Sequence, residues 1–425
     1  MGNKTYNFIR SKLGNSLFKI CWRMFYCWAV FIFLSTVFTT YSTAWASVTP
    51  KIAGGFTHSV ALKSDGTVWA WGYNNYGALG DGSNTDRNTP VQVINISNVT
   101  AVACGAYHSL ALKSDGTVWA WGYNHYGELG DGSGSHKNSP VQTSDLTGVS
   151  AIDGGDSHGI ALKSDGTVWV WGDNLYRQLG KDGYFQSHVP IQVSTLSGIT
   201  SIAGGSQHNL CIKSDGTVWT WGRNDFGQLG DGSTSTYKSA PAQVSNIYNV
   251  TAITGGYFHS IALKSDGTVW AWGRNDYGQL GDGGTIGYSE YKAAPVQVSN
   301  LTGIIAISCR RDHNLALKSD GTVWAWGANG SGQLGDGTTT NRNTPIQVNG
   351  LNSISTIACG GSWSLAMKSD GTVWAWGGNY YGYLGDGTTT SRNTPVQINL
   401  NLTQITTPTP TPTPSQPPSV TTGSV

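Results

Sequence analysis

One heptapeptide, K-S-D-G-T-V-W, occurs seven times without a change, beginning at Lys63, Lys113, Lys163, Lys213, Lys264, Lys318 and Lys368. The spacings are 50, 50, 50, 51, 54 and 50 residues. A period of this size marks a solenoid or a propeller, because one such unit cannot bury its own apolar face and must stack on its neighbours. Each unit reads approximately I-A-G-G-x-x-H-S-L-A-L-K-S-D-G-T-V-W-A-W-G-x-N-x-Y-G-Q-L-G-D-G, then a polar loop, then P-V-Q-V. Of the 18 tryptophans, fourteen form seven W-x-W pairs, from Trp69 and Trp71 to Trp374 and Trp376, so the repeat accounts for the aromatic excess.

Within a unit the pattern is that of a hairpin. Asp-Gly between two alternating runs signals a two-residue type I′ turn, which needs φ > 0 at both central residues. Such a turn at Asp65-Gly66 predicts Ser64 opposite Thr67, Leu62 opposite Trp69, Ala61 opposite Ala70 and Val60 opposite Trp71. The hairpin then has a bulky face (Val60, Leu62, Trp69, Trp71) and a small one (Ser59, Ala61, Ala70), as stacked blades require. I-A-G-G and P-V-Q-V supply two more strands. With 58 glycines and only 12% charged residues, helical bundles and coiled coils are excluded. The predicted fold is all-β: a seven-bladed β-propeller with four antiparallel strands per blade, following an N-terminal signal segment. The absence of a polar terminal cap favours a closed ring over a linear solenoid.

The ends of the chain differ from the repeats. Residues 1–46 carry five basic side chains and no acid, an apolar run from Met24 to Phe38, and Ala44-Trp45-Ala46 before Ser47, which reads as a cleaved export signal. An uncleaved N-terminal anchor is the alternative, and the only membrane contact expected. The propeller is assigned to 47–406, and 407–425 is a Thr/Pro-rich linker or tail. A secreted or cell-surface location follows from the signal. Beyond residue 46 there are 20 basic against 24 acidic side chains, so no nucleic-acid-binding face is expected. Cys104, Cys211, Cys309 and Cys359 occupy repeat positions too far apart to bridge, and are expected as buried free thiols.

No catalytic constellation, metal site or cofactor motif emerges. His58, His108, His158, His208, His259 and His313 share one repeat position, with Trp363 in the seventh copy. Ligands spread around a ring cannot converge on one metal, so each imidazole is expected to bond neighbouring backbone. Asp65 and its equivalents are turn residues. Variation is concentrated in the pair before each histidine, which should emerge on one rim. The rim candidates for partner binding are Phe56, Thr57, Tyr107, Asp156, Gln207, Tyr257, Phe258, Arg311, Asp312 and Trp363. Secondary candidates in the long loops before the fourth strand are Tyr184, Phe185, Tyr288 and Tyr291.

G-G-x-x-H-S-L-A-L, D-G-T-V-W-A-W-G-x-N and Y-G-Q-L-G-D-G resemble the repeat of the regulator of chromosome condensation family over residues 52 to about 398. The resemblance implies a seven-bladed propeller. The chain is also similar to a secreted bacterial inhibitor of β-lactamases that uses the same repeat. From the residues, the chain reads as a non-enzymatic, monomeric binding scaffold that presents a variable rim to a macromolecular partner, a protein first and a polysaccharide second. Guanine-nucleotide exchange on a small GTPase is the alternative that the resemblance implies. Gly155-Asp156-Ser157-His158 resembles part of the family's GTPase-facing surface, while its wedge-like insertion has no counterpart after Trp171-Gly172. A carbohydrate-binding propeller at the cell surface is the third reading.

Overall fold

The computed structural model describes residues 47–183 and 185–403. The expected signal segment (1–46), the Thr/Pro tail (407–425) and Tyr184 lie outside the described residues. Among those described, 28 strands form seven four-stranded antiparallel sheets, each from one contiguous run of chain. In the first blade β1 (Lys51–Gly54), β2 (His58–Leu62), β3 (Val68–Gly72) and β4 (Arg87–Gln92) lie side by side in chain order. The first strands of successive blades touch all the way round, with Lys51–Gly54 meeting both Val99–Cys104 and Ile354–Cys359. They therefore line the axis of a closed ring. Among the described residues no strand is exchanged at the closure, which is made by packing and by hydrogen bonds that include the Ser64 N–H donating to the Leu402 carbonyl at 2.8 Å.

The hairpin register differs by one residue from the expected one. Leu62 faces Val68, Val60 faces Ala70, Ala61 faces Trp69 and Ser59 faces Trp71. Lys63 and Thr67 close the turn (N···O 2.9 Å), so the connection has three residues, and only Gly66 takes a positive φ, +78°. This is a type I turn with a glycine bulge. Asp65 selects it, because its Oδ1 accepts from both the N–H (2.9 Å) and the hydroxyl (2.6 Å) of Thr67.

The shift reassigns the faces. Val60, Leu62, Val68 and Ala70 form an aliphatic face, while Ser59, Ala61, Trp69 and Trp71 share the other. Each joint then packs the aliphatic face of one blade against the tryptophan face of the next. Val60, Leu62, Val68 and Ala70 cluster with Ala111 and Trp121. Leu365, Val373 and Ala375 of blade 7 cluster with Ala61 and Trp71 of blade 1, the same joint closing the ring. The two tryptophans of each pair are not equivalent. Trp71 is fully buried, removing on the order of 200 Å² from water, about 5 kcal/mol. Trp69 is half-buried, bonds Thr67 through its indole N–H (3.2 Å) and lies under the Lys63 ammonium.

Candidate binding face

In an antiparallel four-stranded meander, the first-to-second and third-to-fourth connections emerge at one end and the remaining connections at the other. The two sets of variable residues, before each histidine and after each W-G, therefore share one face, called here the mouth face. The loops holding Phe185, Tyr288 and Tyr291 belong to it as well, although the sequence suggested a separate part of the repeat. Their exposures are 75%, 93% and 42%.

The histidines latch each blade to the next. His58 Nε2 lies 2.7 Å from Ser109 Oγ, and the Ser109 hydroxyl donates to the Ala78 carbonyl at 2.8 Å. With that proton committed, the imidazole must be the Nε2–H donor. The pattern recurs from His158 to Asn209 (2.9 Å), His208 to Ser260 (2.9 Å), His259 to Asn314 (2.7 Å) and His313 to Ser364 (3.1 Å). The partner is thus a side chain of the next blade rather than the backbone expected from sequence. His108 breaks the series, because Gly159 stands where the other blades place Ser or Asn, and neither of its ring nitrogens has a partner. Burial pushes these imidazoles down to about 3 or 4, so they are neutral.

Two charged residues that break the repeat meet at the axis. Arg310 replaces the second glycine of G-G, and Asp153 replaces an alanine. Elsewhere that glycine is required, since a Cβ at Gly155 would lie 1.9 Å from the His158 ring. Blade 6 accommodates Arg310 by extending its first strand to Ile304–Arg310 and turning at Arg311, whose φ is +51°. The Arg310 guanidinium crosses the ring, and Nη1 donates to the carbonyls of Cys104 (3.0 Å) and Gly154 (3.2 Å). Its Nη2 lies 3.5 Å from Asp156 Oδ1. Asp153 accepts from the N–H groups of Gly154 (2.8 Å) and Gly204 (2.9 Å), and burial raises its carboxyl above the usual range. Both line an axial cavity of about 200 Å³. Sequence reasoning missed both, although a charge at a position otherwise held by Gly or a small residue was the available signal.

The structure brings most of the rim candidates to the mouth and removes three. Phe56, Tyr107, Asp156, Gln207 and Tyr257 are half-buried there and Arg311 is exposed. Asp312 is half-buried, and burial pushes its carboxyl up to about 6. Trp363 is fully enclosed, stacked on Tyr383 at 4.5 Å with its indole N–H on Ser59. Thr57 is buried because its hydroxyl donates to the Ala106 carbonyl (3.1 Å), and Phe258 because Arg223 and Arg274 cover its ring.

The mouth face divides into two sectors. On blades 3 to 5 the chain's own arginines cover three aromatic rings: Arg223 stacks on Tyr176 (4.2 Å) and Phe258 (4.5 Å), and Arg274 on Phe226 (5.2 Å). These arginines are also paired with Asp225 and Asp276. On blades 7, 1 and 2 the residue after W-G is glycine or tyrosine instead. There Tyr381, Tyr73, Tyr76, Tyr107 and Tyr123 form one connected cluster, with successive centroids 5.1, 6.1, 5.6 and 6.2 Å apart. Tyr123 stacks on His136 at 4.7 Å. Among the described residues, no three metal-binding side chains converge.

A ring of seven self-contained blades with invariant hairpins on one face and a varied mouth on the other defines a seven-bladed propeller. The chain belongs to the RCC1-like domain family: residues 39–354 match the RCC1-like domain, and residues 354–382 and 370–407 match the regulator of chromosome condensation repeat. It is similar to Protein pim1 of Schizosaccharomyces pombe, 40% identical over 100 residues, covering 21% of this chain and 19% of that protein. It is also similar to human Protein RCC2, 41% identical over 85 residues, covering 20% and 16%. The chain thus spans about a fifth of the length of the curated relatives it matches. Among solved structures, Prp20p of Saccharomyces cerevisiae superposes with a TM-score of 0.72 at 23% identity, covering 80% of this chain and 87% of that one. Human WBSCR16 gives 0.71 at 23%, covering 79% and 94%. These two likenesses concern the fold alone.

Proposed function

We propose that this chain is an exported, non-enzymatic propeller that binds a protein partner through its mouth face. The observation that carries this reading is the contrast between the two ends of the ring. The hairpin end repeats one sequence seven times, whereas the mouth concentrates Tyr, Phe and Arg on a scaffold held by inter-blade latches. Those residue types dominate binding energies, and a rigid scaffold presents them at little ordering cost. Export rests on the residue pattern of 1–46. Inhibition of an extracellular enzyme such as a β-lactamase is a special case, supported by resemblance only.

A second reading, exchange on a small GTPase, is favoured by family membership. The crystal structure of Prp20p was described together with that protein's binding to Gsp1p and histones. One comparison separates the two. The immobilised mature chain is challenged with extracellular medium from its own source, and in parallel with GTPases loaded with fluorescent GDP. Capture of one protein, weakened at least tenfold by the double change Tyr107→Ser, Arg311→Ser, is the result expected. Catalysed GDP release with no such capture would establish the exchange reading instead.

A further inference from the structure

We infer that the aromatic sector of blades 7, 1 and 2 docks an arginine-bearing segment of the protein partner, an inference that rests on the protein-binding reading above. On blades 3 to 5 of the mouth, the rings of Tyr176, Phe226 and Phe258 are covered by the chain's own guanidinium groups. Arg223 and Arg274 project from the residue that follows W-G. The same position holds Tyr73 and Tyr123 in blades 1 and 2, so the cations are replaced by further rings. Among the described residues, the one cation stacked on this sector is Arg311, over Phe56 at its border (4.9 Å).

The charges around the sector point the same way. Arg87, Lys137 and Arg392 are each committed to an aspartate of their own loop, Asp81, Asp131 and Asp386. Asp86 accepts from the Asn74 N–H (2.7 Å) and has no ion pair among the described residues. Among the described residues, the sector therefore offers π faces and one carboxylate without an ion pair, and its one cation without an ion pair, Arg311, lies at the border on Phe56. That set is complementary to a guanidinium, which stacks on rings and pairs with carboxylates at once. A neutral glycan would also stack on tyrosines and could hydrogen-bond Asp86, but it carries no positive charge to pair with that carboxylate.

The test uses a fluorescein-labelled hexa-arginine peptide and the mature chain, read by anisotropy at low ionic strength. Saturable binding is expected, weakened at least fivefold by Asp86→Asn and by Tyr76→Leu but retained by Tyr76→Phe. Glu290→Gln, which removes a carboxylate from the blade 5 side of the same face, should leave affinity unchanged. Unaltered thermal midpoints confirm that the variants fold. The inference is overturned if Glu290→Gln weakens binding as much as Asp86→Asn, which would mean diffuse attraction, or if hexa-arginine does not bind. Cellohexaose competing at the sector would also overturn it, as would self-association of the chain being what the Tyr76 change abolishes. If hexa-arginine fails while Tyr107→Ser, Arg311→Ser still abolishes capture of a protein, only this inference falls and the protein-binding reading stands.

Discussion

The indole N–H of Trp363 donates to the hydroxyl of Ser59 at 2.9 Å across the joint between the last blade and the first. At the five working joints described above, a histidine makes the same bond. Trp takes the place of His because both present one N–H donor in a buried slot. Trp363→His should keep the ring closed, and Trp363→Phe should cost about 1 kcal/mol, the worth of one hydrogen bond. Trp363→Ala should cost about 3 to 5 kcal/mol. Urea denaturation monitored by fluorescence checks the order; an Ala change no worse than Phe would mean that the joint does not close the ring.

The unequal burial of the W-x-W pair gives a second prediction. Trp71→Ala should destabilise by about 3 to 5 kcal/mol. Trp69→Ala should cost roughly half as much, since its outer edge remains in water beneath Lys63. Equal costs in chemical denaturation would contradict the three-residue turn and the faces it sets.

Glu128 occupies the place that glutamine holds in the next four blades. Its Oε2 accepts the Tyr126 N–H (2.9 Å), as Gln178 Oε1 does for Tyr176. Burial pushes its carboxyl up to about 8 from an unfolded value of 4.5. A folded value raised above the unfolded one means that the associated stability is present below pH 4.5 and lost as pH rises toward 8. The slope is about 1.4 kcal/mol per pH unit. Glu128→Gln should remove this decline, becoming increasingly more stable than the parent between pH 5 and 8. A stability difference independent of pH would refute the buried neutral acid.

Acid should open the ring steeply. The six buried histidines, five of them latches, are held at about 3 or 4 in the fold against 6.5 unfolded. Their depressed values mean that stability is present above pH 6.5 and lost as pH falls. Near pH 5 the unfolded chain gains six protons on them, while Glu128 and Asp312, at about 8 and 6, hold two more in the fold. The net of about four gives a slope of roughly 5 kcal/mol per pH unit. Near-ultraviolet circular dichroism should show one cooperative loss above pH 4; persistence of the native signal at pH 3 would exclude neutral latches.

Arg310→Gly restores the repeat and removes the guanidinium that spans the axis. The fold should survive at a cost of about 1 to 3 kcal/mol, the range for charged hydrogen bonds. Cys104, whose carbonyl Arg310 holds, should then react faster with a thiol reagent. Its thiol is otherwise buried and pushed up to about 12. Unchanged reactivity would show that Arg310 does not shield Cys104.

Much of this protein was legible before any coordinates. An unbroken heptapeptide at a 50-residue period left few architectures, and the strands I-A-G-G and P-V-Q-V formed where their turn residues and alternation placed them. Among the described residues, the four cysteines are free and buried, as their repeat positions required. The register was not legible. Asp-Gly is compatible with two-residue and three-residue turns, and the choice was made by Asp65 capping Thr67, which shifts every cross-strand partner by one. Nor could the sequence separate Trp363 from Tyr107, although both lie beside the rim, because burial depends on whether the next blade offers a hydroxyl or open solvent. Arg310 and Asp153 lie 157 residues apart in the chain, and only closure of the ring brings both to its axis. Period and composition act within one blade and fix what it is; the mouth is made between blades, where residues distant in sequence meet.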